Sequence, residues 1–288
     1  MKTILKSASV EVTIDTEGPV IMIGEKINPT GRKKLTQMLK DHNLDYVKKI
    51  ALDQVAAGAD VLDINVGAPG VDEVALLPEV IKLVQSITDV PLWLDSANPK
   101  ALAAGLAVTE GRPLVNSVNG EEATLQAVLP VVKEFGAAVI GLTMDDDGIP
   151  NDAETRVAIA EKILERAAKL GIPADDIVID CLVMTVGADD QAAANTLRTI
   201  ELVRQAFGVN INLGASNVSF GLPDRHVLNQ AFLALTAKAG ASCVITDAKK
   251  LSSVIRAADL MLGRDGNGRR YLKNWRTQEK LAKAAAAK

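Results

Sequence analysis

Eight short apolar runs, separated by longer amphipathic stretches, constrain the fold of this chain more than any other feature. The runs are rich in valine, isoleucine and leucine, which is typical of parallel strands buried on both faces. The intervening stretches repeat apolar residues at i, i+3 and i+4, which predicts helices. The runs begin near Val20, Val61, Pro91, Pro113, Ala138, Ile177, Ile211 and Cys243.

Strict alternation of strand and helix requires parallel strands joined by right-handed crossovers. Eight such units in about 250 residues predict a single-domain α/β fold, the (β/α)8 or TIM barrel. An open doubly wound sheet is the alternative, but it normally carries a glycine-rich phosphate turn after an early strand. Neither GxGxxG nor GxxxxGKS/T occurs in the sequence, so the barrel is favoured.

The pattern divides the chain into three segments. Residues 1–18 are an N-terminal extension, in which residues 3 to 14 alternate weakly and predict a hairpin over the lower end of the barrel. Residues 19–263 are the barrel itself. Residues 264–288 are a basic C-terminal extension, since they hold eight Lys or Arg residues against two Asp or Glu residues.

Composition and spacing argue against several classes of protein. No apolar run approaches the roughly 18 residues of a membrane span, and residues 1–6 lack the long apolar region of a signal peptide, so we expect a soluble cytoplasmic protein. Cys181 and Cys243 lie inside apolar runs and form no zinc-ligand spacing with the two histidines, so we expect no disulfide and no metal site. A net charge of −4 and the lack of a basic, aromatic face argue against nucleic acid.

Polar residues close the apolar runs, at the end of the strands where barrels present their catalytic groups. A single aspartate at a strand end usually caps the next helix or binds a loop amide. Here the pattern recurs on several strands, and burying so many polar groups is costly unless each finds a partner. The residues are Asp63, Asp95, Asp180 and Asp247, together with Asn65, Asn116 and Asn217.

A flat ligand rich in hydrogen-bond donors and acceptors would supply those partners. A carboxylate accepts two bonds from an amidine-like pair of N–H groups, and an amide both donates and accepts, so a pterin ring fits this set. Phosphate fits less well, because the cations near the strand ends have no glycine-rich cradle. These cations are Lys26, Arg32, Arg225 and Lys249.

Seven short segments at these strand ends resemble, in order, those of the pterin-binding methyltransferase family, whose barrels act on methyltetrahydrofolate and a corrinoid. The resemblance covers residues 20 to 262, most of the barrel. One such segment would be weak support, whereas seven in order on the expected strands are specific. The segments are Ile23–Asn28, Leu62–Gly67, Leu94–Ser96, Val115–Ser117, Gly141–Met144, Ile179–Asp180 and Ser216–Ser219.

The resemblance implies roles for individual residues. Asp95, Asn116 and Asp180 would bind the pterin ring. Asn217 would lie near N5 of the pterin and, with Asp95, would serve catalysis. The sequence departs from the family after Asp180, where a cysteine and a leucine replace a frequent proline and apolar residue. Weaker candidates for the pterin site are Asp63, Asn65, Gly141, Met144, Ser216 and Arg225.

The resemblance also implies a reaction. The enzyme would transfer a methyl group between N5 of methyltetrahydrofolate, or tetrahydrofolate, and the cobalt of a cobalamin, with N5 protonation assisted by a hydrogen-bond network. A corrinoid-binding module would show the motif DxHxxG, but residues 224–229 have Asn229 in place of the glycine. The cobalamin is therefore expected on a partner corrinoid protein, and the similar stand-alone enzymes imply a homodimer.

Two alternative functions stay open. A dihydropteroate synthase-like enzyme would also bind a pterin, but residues 28–32 stand in place of its phosphate-binding loop. A non-catalytic folate-binding protein would bind the pterin tightly without transferring a methyl group.

Overall fold

Eight parallel strands alternate with helices around a barrel in the computed structural model, which describes residues 1–286. Each predicted apolar run forms one strand, and the prediction of a (β/α)8 barrel is confirmed. A hairpin precedes the barrel and consists of β1 (Lys2–Lys6) and β2 (Glu11–Asp15). The barrel strands are β3 (Ile21–Ile27), β4 (Val61–Ile64), β5 (Leu92–Asp95), β6 (Leu114–Asn119), β7 (Ala138–Leu142), β8 (Ile177–Asp180), β9 (Asn210–Asn212) and β10 (Cys243–Thr246).

Helices follow every barrel strand and bury their apolar faces against it. Two helices follow β3, one follows each later strand, and a last helix extends beyond the barrel. The helices are α1 (Lys33–Lys40), α2 (Asp45–Ala56), α3 (Glu73–Gln85), α4 (Pro99–Leu106), α5 (Glu122–Phe135), α6 (Ala153–Lys169), α7 (Ala192–Phe207), α8 (Arg225–Ala239), α9 (Ala248–Met261) and α10 (Arg269–Ala286).

The sheet runs in the order β10, β3, β4, β5, β6, β7, β8, β9, so its two ends meet between β9 and β10. Few backbone hydrogen bonds join the two strands at this seam. The Ser242 amide donates to the Ile211 carbonyl at 3.0 Å, and the Ile245 amide donates to the Leu213 carbonyl at 3.1 Å. The seam therefore completes a barrel whose strand ends all open onto one mouth.

Side chains along each strand alternate between two apolar layers, as the period of two requires. Met22, Leu62 and Leu94 face outward and pack in the cluster formed with the helices. Ile23, Val61 and Trp93 belong to a separate cluster that fills the inside of the barrel. The interior is a packed core in its lower half, so a ligand can enter only above it.

The N-terminal hairpin closes the lower end of the barrel. Its Leu5 and Ile14 are fully buried and belong to the inner cluster. The buried Asn210 amide fixes both strands of the hairpin, because its Nδ2 donates to Thr3 Oγ1 and to the Ile14 carbonyl, each at 2.9 Å. The hairpin is therefore part of the barrel core, not a loose appendage.

The C-terminal helix α10 packs against α9 and against the end of α2. Asp60, which follows α2, accepts from Arg256 at 2.7 Å and from Arg270 at 3.0 Å, and so joins α9 to α10. The Gln278 amide donates to the Ala57 carbonyl at 3.3 Å. Residues 287 and 288 of the predicted basic extension lie outside the described residues. Within residues 1–286, no helix is both long enough and apolar enough to cross a bilayer.

We expect Leu5→Ala to lower the free energy of unfolding by about 2–5 kcal/mol, because it removes a buried side chain and leaves a cavity in a packed interior. Urea unfolding followed by circular dichroism measures this change. Val10→Ala is the matched control, since Val10 belongs to the same hairpin but is 39% exposed. Equal stability of the two variants would show that the hairpin is not packed into the barrel.

Candidate active site

The alternation that fills the lower barrel with apolar side chains places polar ones directly above them. On β4, β5, β6 and β8, the polar residue lies two positions after an apolar residue of the inner cluster, at the carboxyl end of the strand. On β9, it lies two positions after the buried Asn210. Strand pairing sets Asp95 beside Asn116 on β5 and β6, and Asp180 beside Asn212 on β8 and β9. The inward polar residues are Asp63, Asp95, Asn116, Asp180 and Asn212.

Other residues cap the helices. The Asp72 carboxylate accepts from two backbone amides at the start of α3, Asn98 accepts from one at the start of α4, and Asp152 accepts from one at the start of α6. Residues of these types are the usual N-caps. The aspartates at the ends of β4, β5 and β8 are therefore not engaged in capping, which leaves them available to the mouth.

Asp95 is the centre of a network of amide side chains. Its Oδ1 accepts from Asn116 at 2.9 Å, and its Oδ2 accepts from Asn65 at 2.9 Å and from Asn28 at 3.3 Å. Burial raises the pKa of Asp95, and the bonds from Asn65 and Asn116 oppose this rise. Since a carboxylate has about four acceptor positions, Asp95 keeps only one for a ligand.

Asp63 lies below this network and is fully buried. Neither of its oxygens forms a hydrogen bond of ordinary geometry with the residues described. Burial, and then the nearby negative charge of Asp95, raise the pKa of Asp63 well above its usual value, while the Asn28 amide lowers it to a smaller extent. Asp63 therefore favours its protonated, neutral form.

Asp180 accepts fewer hydrogen bonds than Asp95 does. Its Oδ2 accepts from Asn212 at 2.6 Å, and its Oδ1 accepts from the Leu182 amide at 2.8 Å. One acceptor position stays free on each oxygen. Burial raises the pKa of Asp180 to about 6, against the effect of these two bonds. The Leu182 backbone has a positive φ of 50°, in the loop where the sequence departs from the family.

Asn217 lies in a short 3-10 turn, Ala215–Ser219, that follows β9. It is exposed, and its side chain forms no hydrogen bond with the part of the chain described. Arg225 holds this turn, since its guanidinium donates to the Ser216 carbonyl at 2.8 Å and to Ser219 Oγ at 3.0 Å. The side-chain amide of Asn217 is therefore available to a ligand, on a turn that Arg225 stabilises. The hydrogen bond between Arg225 and the Ser216 carbonyl stabilises the turn.

The remaining sequence-predicted residues have different surroundings. Gly141 is buried on the outer side of β7, where a Cβ atom would lie 3.0 Å from Ile163 and 3.1 Å from Ile179. Its lack of a side chain therefore serves the packing of α6 on the barrel. Met144 lies in the loop after β7, where its carbonyl accepts from the Gly120 amide at 2.7 Å.

The structure thus joins Asp95, Asn65 and Asn116 directly, and it places Asp63 beneath them. Asp180 belongs to a second cluster with Asn212. No hydrogen bond among the described residues links Asn217 to either cluster.

Two residues of the network, Asn28 and Asn212, were not among the predicted site residues. Asn28 accepts from the Thr30 amide through Oδ1 at 3.0 Å, which turns its Nδ2 toward Asp95. Asn212 follows Asn210 by two positions on β9, and this alternation was the available signal. Asn28 lies after the end of β3, and its contact with Asp95 joins residues that are far apart in the sequence, whereas Asn212 lies inside β9 next to the apolar residues Ile211 and Leu213.

Ion pairs line the mouth between β3 and β10. Lys26 binds Asp247 at 2.6 Å and Glu25 at 3.4 Å, and Arg32 binds Glu25 at 3.1 Å. The described residues contain no group of three His, Cys, Asp or Glu side chains placed to bind a metal ion. The site as a whole offers amides and carboxylates, which suit an uncharged, flat ligand with several N–H groups.

Solved structures share this architecture. The dihydropteroate synthase of Yersinia pestis superposes with a TM-score of 0.67 at 17% identity, and the match covers 91% of this chain and 99% of that one. The 7,8-dihydropteroate synthase of Vibrio fischeri superposes with a TM-score of 0.68 at 20% identity, covering 92% and 99%. At these identities the likeness concerns the fold alone.

Sequence relatives are more similar. The methylcorrinoid:tetrahydrofolate methyltransferase of Eubacterium limosum is 31% identical over 265 residues, which cover 89% of this chain and 96% of that protein. The methionine synthase of Mycobacterium tuberculosis is 33% identical over 248 residues, which cover 82% of this chain but only 21% of that longer protein.

The family model described as pterin binding enzyme matches residues 24–247. This range begins in the middle of β3 and reaches the residue after β10, so it includes every strand end that contributes to the site. The resemblance predicted from the strand ends is confirmed, and the chain belongs to the pterin binding enzyme family.

Proposed function

We propose that this protein transfers a methyl group between N5 of methyltetrahydrofolate, or tetrahydrofolate, and a corrinoid carried by a partner protein. One observation carries the proposal: Asp180 is a buried carboxylate with a free acceptor position on each oxygen, on the same barrel mouth as the Asp95 network. The similarity to a methylcorrinoid:tetrahydrofolate methyltransferase supports methyl transfer over the other reactions of pterin enzymes.

Recognition of the ring follows from counting donors and acceptors. The 2-amino-4-oxo edge of a pterin presents two adjacent N–H groups, which match the two free positions of Asp180 in a bidentate pair. Asn116 donates to Asp95 through Nδ2, so its carbonyl oxygen can accept from the ring. In this proposal the weaker candidates Asp63, Asn65 and Met144 shape the site around the ring.

Proton transfer at N5 is assigned to Asn217 and the Asp95 network. Methyl loss from N5 would otherwise release an amide anion, which is a poor leaving group, so N5 must be protonated before transfer. The free Asn217 amide can accept a hydrogen bond from protonated N5, and the bond strengthens as charge develops there. Asp63 favours its protonated form beside Asp95 and can hold a proton within reach of the network.

Two exposed apolar side chains beside the mouth could contact a large, flat partner group. Phe220, which follows the Asn217 turn, is 67% exposed, and Met184 in the loop after β8 is exposed as well. The two loops are joined, because Thr185 Oγ1 donates to the Phe220 carbonyl at 2.6 Å. When bound there on its carrier protein, the corrinoid supplies the nucleophilic cobalt that accepts the methyl group, or the methylated cobalt that returns it.

We expect Asn217→Ala to lower the rate of methyl transfer by about 10²-fold or more, because it removes a contact that stabilises protonated N5. Pterin affinity should change by less than about threefold, since the contact is weak in the ground state. Stopped-flow absorbance with free cob(I)alamin measures the rate, and calorimetric titration with methyltetrahydrofolate measures the affinity.

Asn43→Ala, at an exposed asparagine between α1 and α2, is the matched control and should leave both quantities unchanged. An unaltered rate for Asn217→Ala would remove Asn217 from catalysis. Tight binding of folate by the wild type without any methyl transfer would favour a non-catalytic folate-binding protein. Formation of dihydropteroate from pterin pyrophosphate and p-aminobenzoate would favour a synthase.

Pterin affinity of the wild type should fall as the pH drops through about 6. Ring binding needs the Asp180 carboxylate, whose pKa in the free protein is about 6, so below this pH a proton must leave before the ring can bind. Asp180→Asn should weaken binding by about 1.5–3 kcal/mol at neutral pH and abolish this step in the profile. Calorimetric titration between pH 5 and 8 measures both effects.

Asp175→Asn, which changes an exposed carboxyl five residues earlier, is the matched control and should keep the wild-type profile. A step near pH 6 that persists in Asp180→Asn would assign the titration to another group, and Asp180 would then not bind the ring.

We further propose that the protein works as a homodimer. Met261 at the end of α9 is 83% exposed and Trp275 on α10 is 55% exposed, which are large values for apolar side chains. Sedimentation velocity should give the mass of a dimer for the wild type and of a monomer for Trp275→Glu. Leu170→Glu, at an exposed apolar residue on another helix end, should remain dimeric. A monomeric wild type would refute the proposal.

A further inference from the structure

Three buried side chains on neighbouring strands form a series of hydrogen bonds that ends at Asp180, and we call them the seam triad. Asn212 Nδ2 donates to Asp180 Oδ2 at 2.6 Å, and the Cys243 thiol donates to Asn212 Oδ1 at 3.6 Å. The residues lie on β8, β9 and β10, and the pairing of Gly214 with Ile245 sets Cys243 level with Asn212. The seam triad therefore spans the seam between β9 and β10.

The two neighbours of Asn212 fix the orientation of its amide. An ionised carboxylate only accepts hydrogen bonds, so Asp180 requires the NH2 end of the amide. Cys243 has a hydrogen to donate and is a weak acceptor, so it suits the oxygen end. The same thiol lies 3.7 Å from the Ile211 carbonyl, which is a second acceptor for its hydrogen. Because Asn212 is fully buried, water does not replace either bond.

A cysteine suits this position because it is apolar enough for the barrel interior and still donates a hydrogen bond. Cys243 is fully buried and belongs to the inner apolar cluster. Burial, and then the negative charge of Asp180, raise the pKa of its thiol well above the usual value. The thiol therefore stays protonated, and remains a donor, over the pH range in which Asp180 titrates.

Few other charged or titratable groups approach Asp180. Cys181 follows it in the chain and packs in the outer cluster, where burial raises the pKa of its thiol well above the usual value. Arg156 on α6 donates to the Cys181 and Leu182 carbonyls, each at 3.0 Å. Within residues 1–286, no Lys, Arg or His nitrogen lies within 4.0 Å of the Asp180 carboxylate. Among these residues, Asn212 is the side chain that forms a hydrogen bond with Asp180.

We propose that Asn212 is a positioning residue for the pterin ring, and that the Cys243 thiol orients it so that its amide donates to Asp180. This inference rests on the proposed function, in which the Asp180 carboxylate binds the ring. The bond from Asn212 holds one carboxylate oxygen in place and favours the charged form, which is the form that accepts from two N–H groups. A reversed amide would turn its oxygen toward Asp180 and favour the protonated form. The seam triad therefore sets the pH above which the ring binds.

Calorimetric titration with methyltetrahydrofolate between pH 5 and 9 tests the inference. Asn212→Leu keeps the shape of the side chain without its amide. It should move the step in affinity, expected at about pH 6 in the wild type, upward by about one pH unit, because a bond that favours the charged carboxylate is lost. Cys243→Ala should move the step in the same direction by less, since the amide can then reverse. Cys243→Ser should keep the wild-type step, because a hydroxyl also donates.

Cys181→Ala is the matched control, because it makes the same change at a buried cysteine of the outer cluster. It should keep the wild-type step. The inference is overturned if Asn212→Leu loses affinity equally at every pH, or if Cys243→Ser moves the step as far as Cys243→Ala does. Circular dichroism shows whether each variant is folded, and the two Cys243 variants decide the outcome if Asn212→Leu does not fold.

The S–H stretching band in the infrared spectrum gives a readout that needs no ligand. The chain has two cysteines, so Cys181→Ala leaves Cys243 as the source of this band. In that background, Asn212→Leu should shift the band, because the thiol loses an acceptor. An unchanged band would show that Cys243 does not orient Asn212, and would overturn the inference.

The outcomes separate this inference from the proposed function. If the wild type binds the folate with a step near pH 6 and the Asn212 and Cys243 variants share that step, the proposed function stands and the role of the seam triad is refuted. If the wild type does not bind the folate at any pH, both are refuted.

Discussion

Asp95 and Asp180, the carboxylates at the centre of the two site clusters, are held by amides and not by cations, and the rest of the site depends on this arrangement. An arginine beside Asp95 or Asp180 would lower the pKa of the carboxyl group and occupy both of its oxygens with a bidentate pair. Asn116 and Asn212 instead each occupy one position and bring no charge. The carboxylates stay oriented but incompletely satisfied, and a ligand rich in N–H groups gains the remaining bonds.

This arrangement lowers the stability of the free protein. The pKa of Asp180 in the fold, about 6, lies above the ordinary value of 3.8, so the folded state binds its proton more tightly than the unfolded state does. Stability from this group is therefore present below the unfolded pKa and is lost as the pH rises from about 4 to 6. A ring bound to the carboxylate reverses this loss, because it stabilises the charged form in the folded state only.

Much of the fold and part of the site followed from the sequence, for identifiable reasons. Buried strands have a strong apolar signal, and the alternation along β5 and β8 fixed the inward direction of Asp95 and Asp180. Gly141 and Arg225 were harder to place. A glycine has no side chain, so the sequence does not show whether it faces the inside or the outside of the barrel. An arginine side chain is long, so the sequence does not show that Arg225 binds the neighbouring turn and not a ligand. Asn28 was hidden because its contact with Asp95 joins residues 67 positions apart.

The seal formed by Leu5 and Ile14 under the inner cluster leaves the barrel with a single entrance. Both reactants of the proposed reaction must use it. In that reaction the folate would be the deeper of the two, so it would have to arrive before a bulky carrier protein covers the mouth and could depart only after that carrier has moved away. A single entrance would thus impose a compulsory order on the proposed two-substrate reaction, with the folate first on and last off.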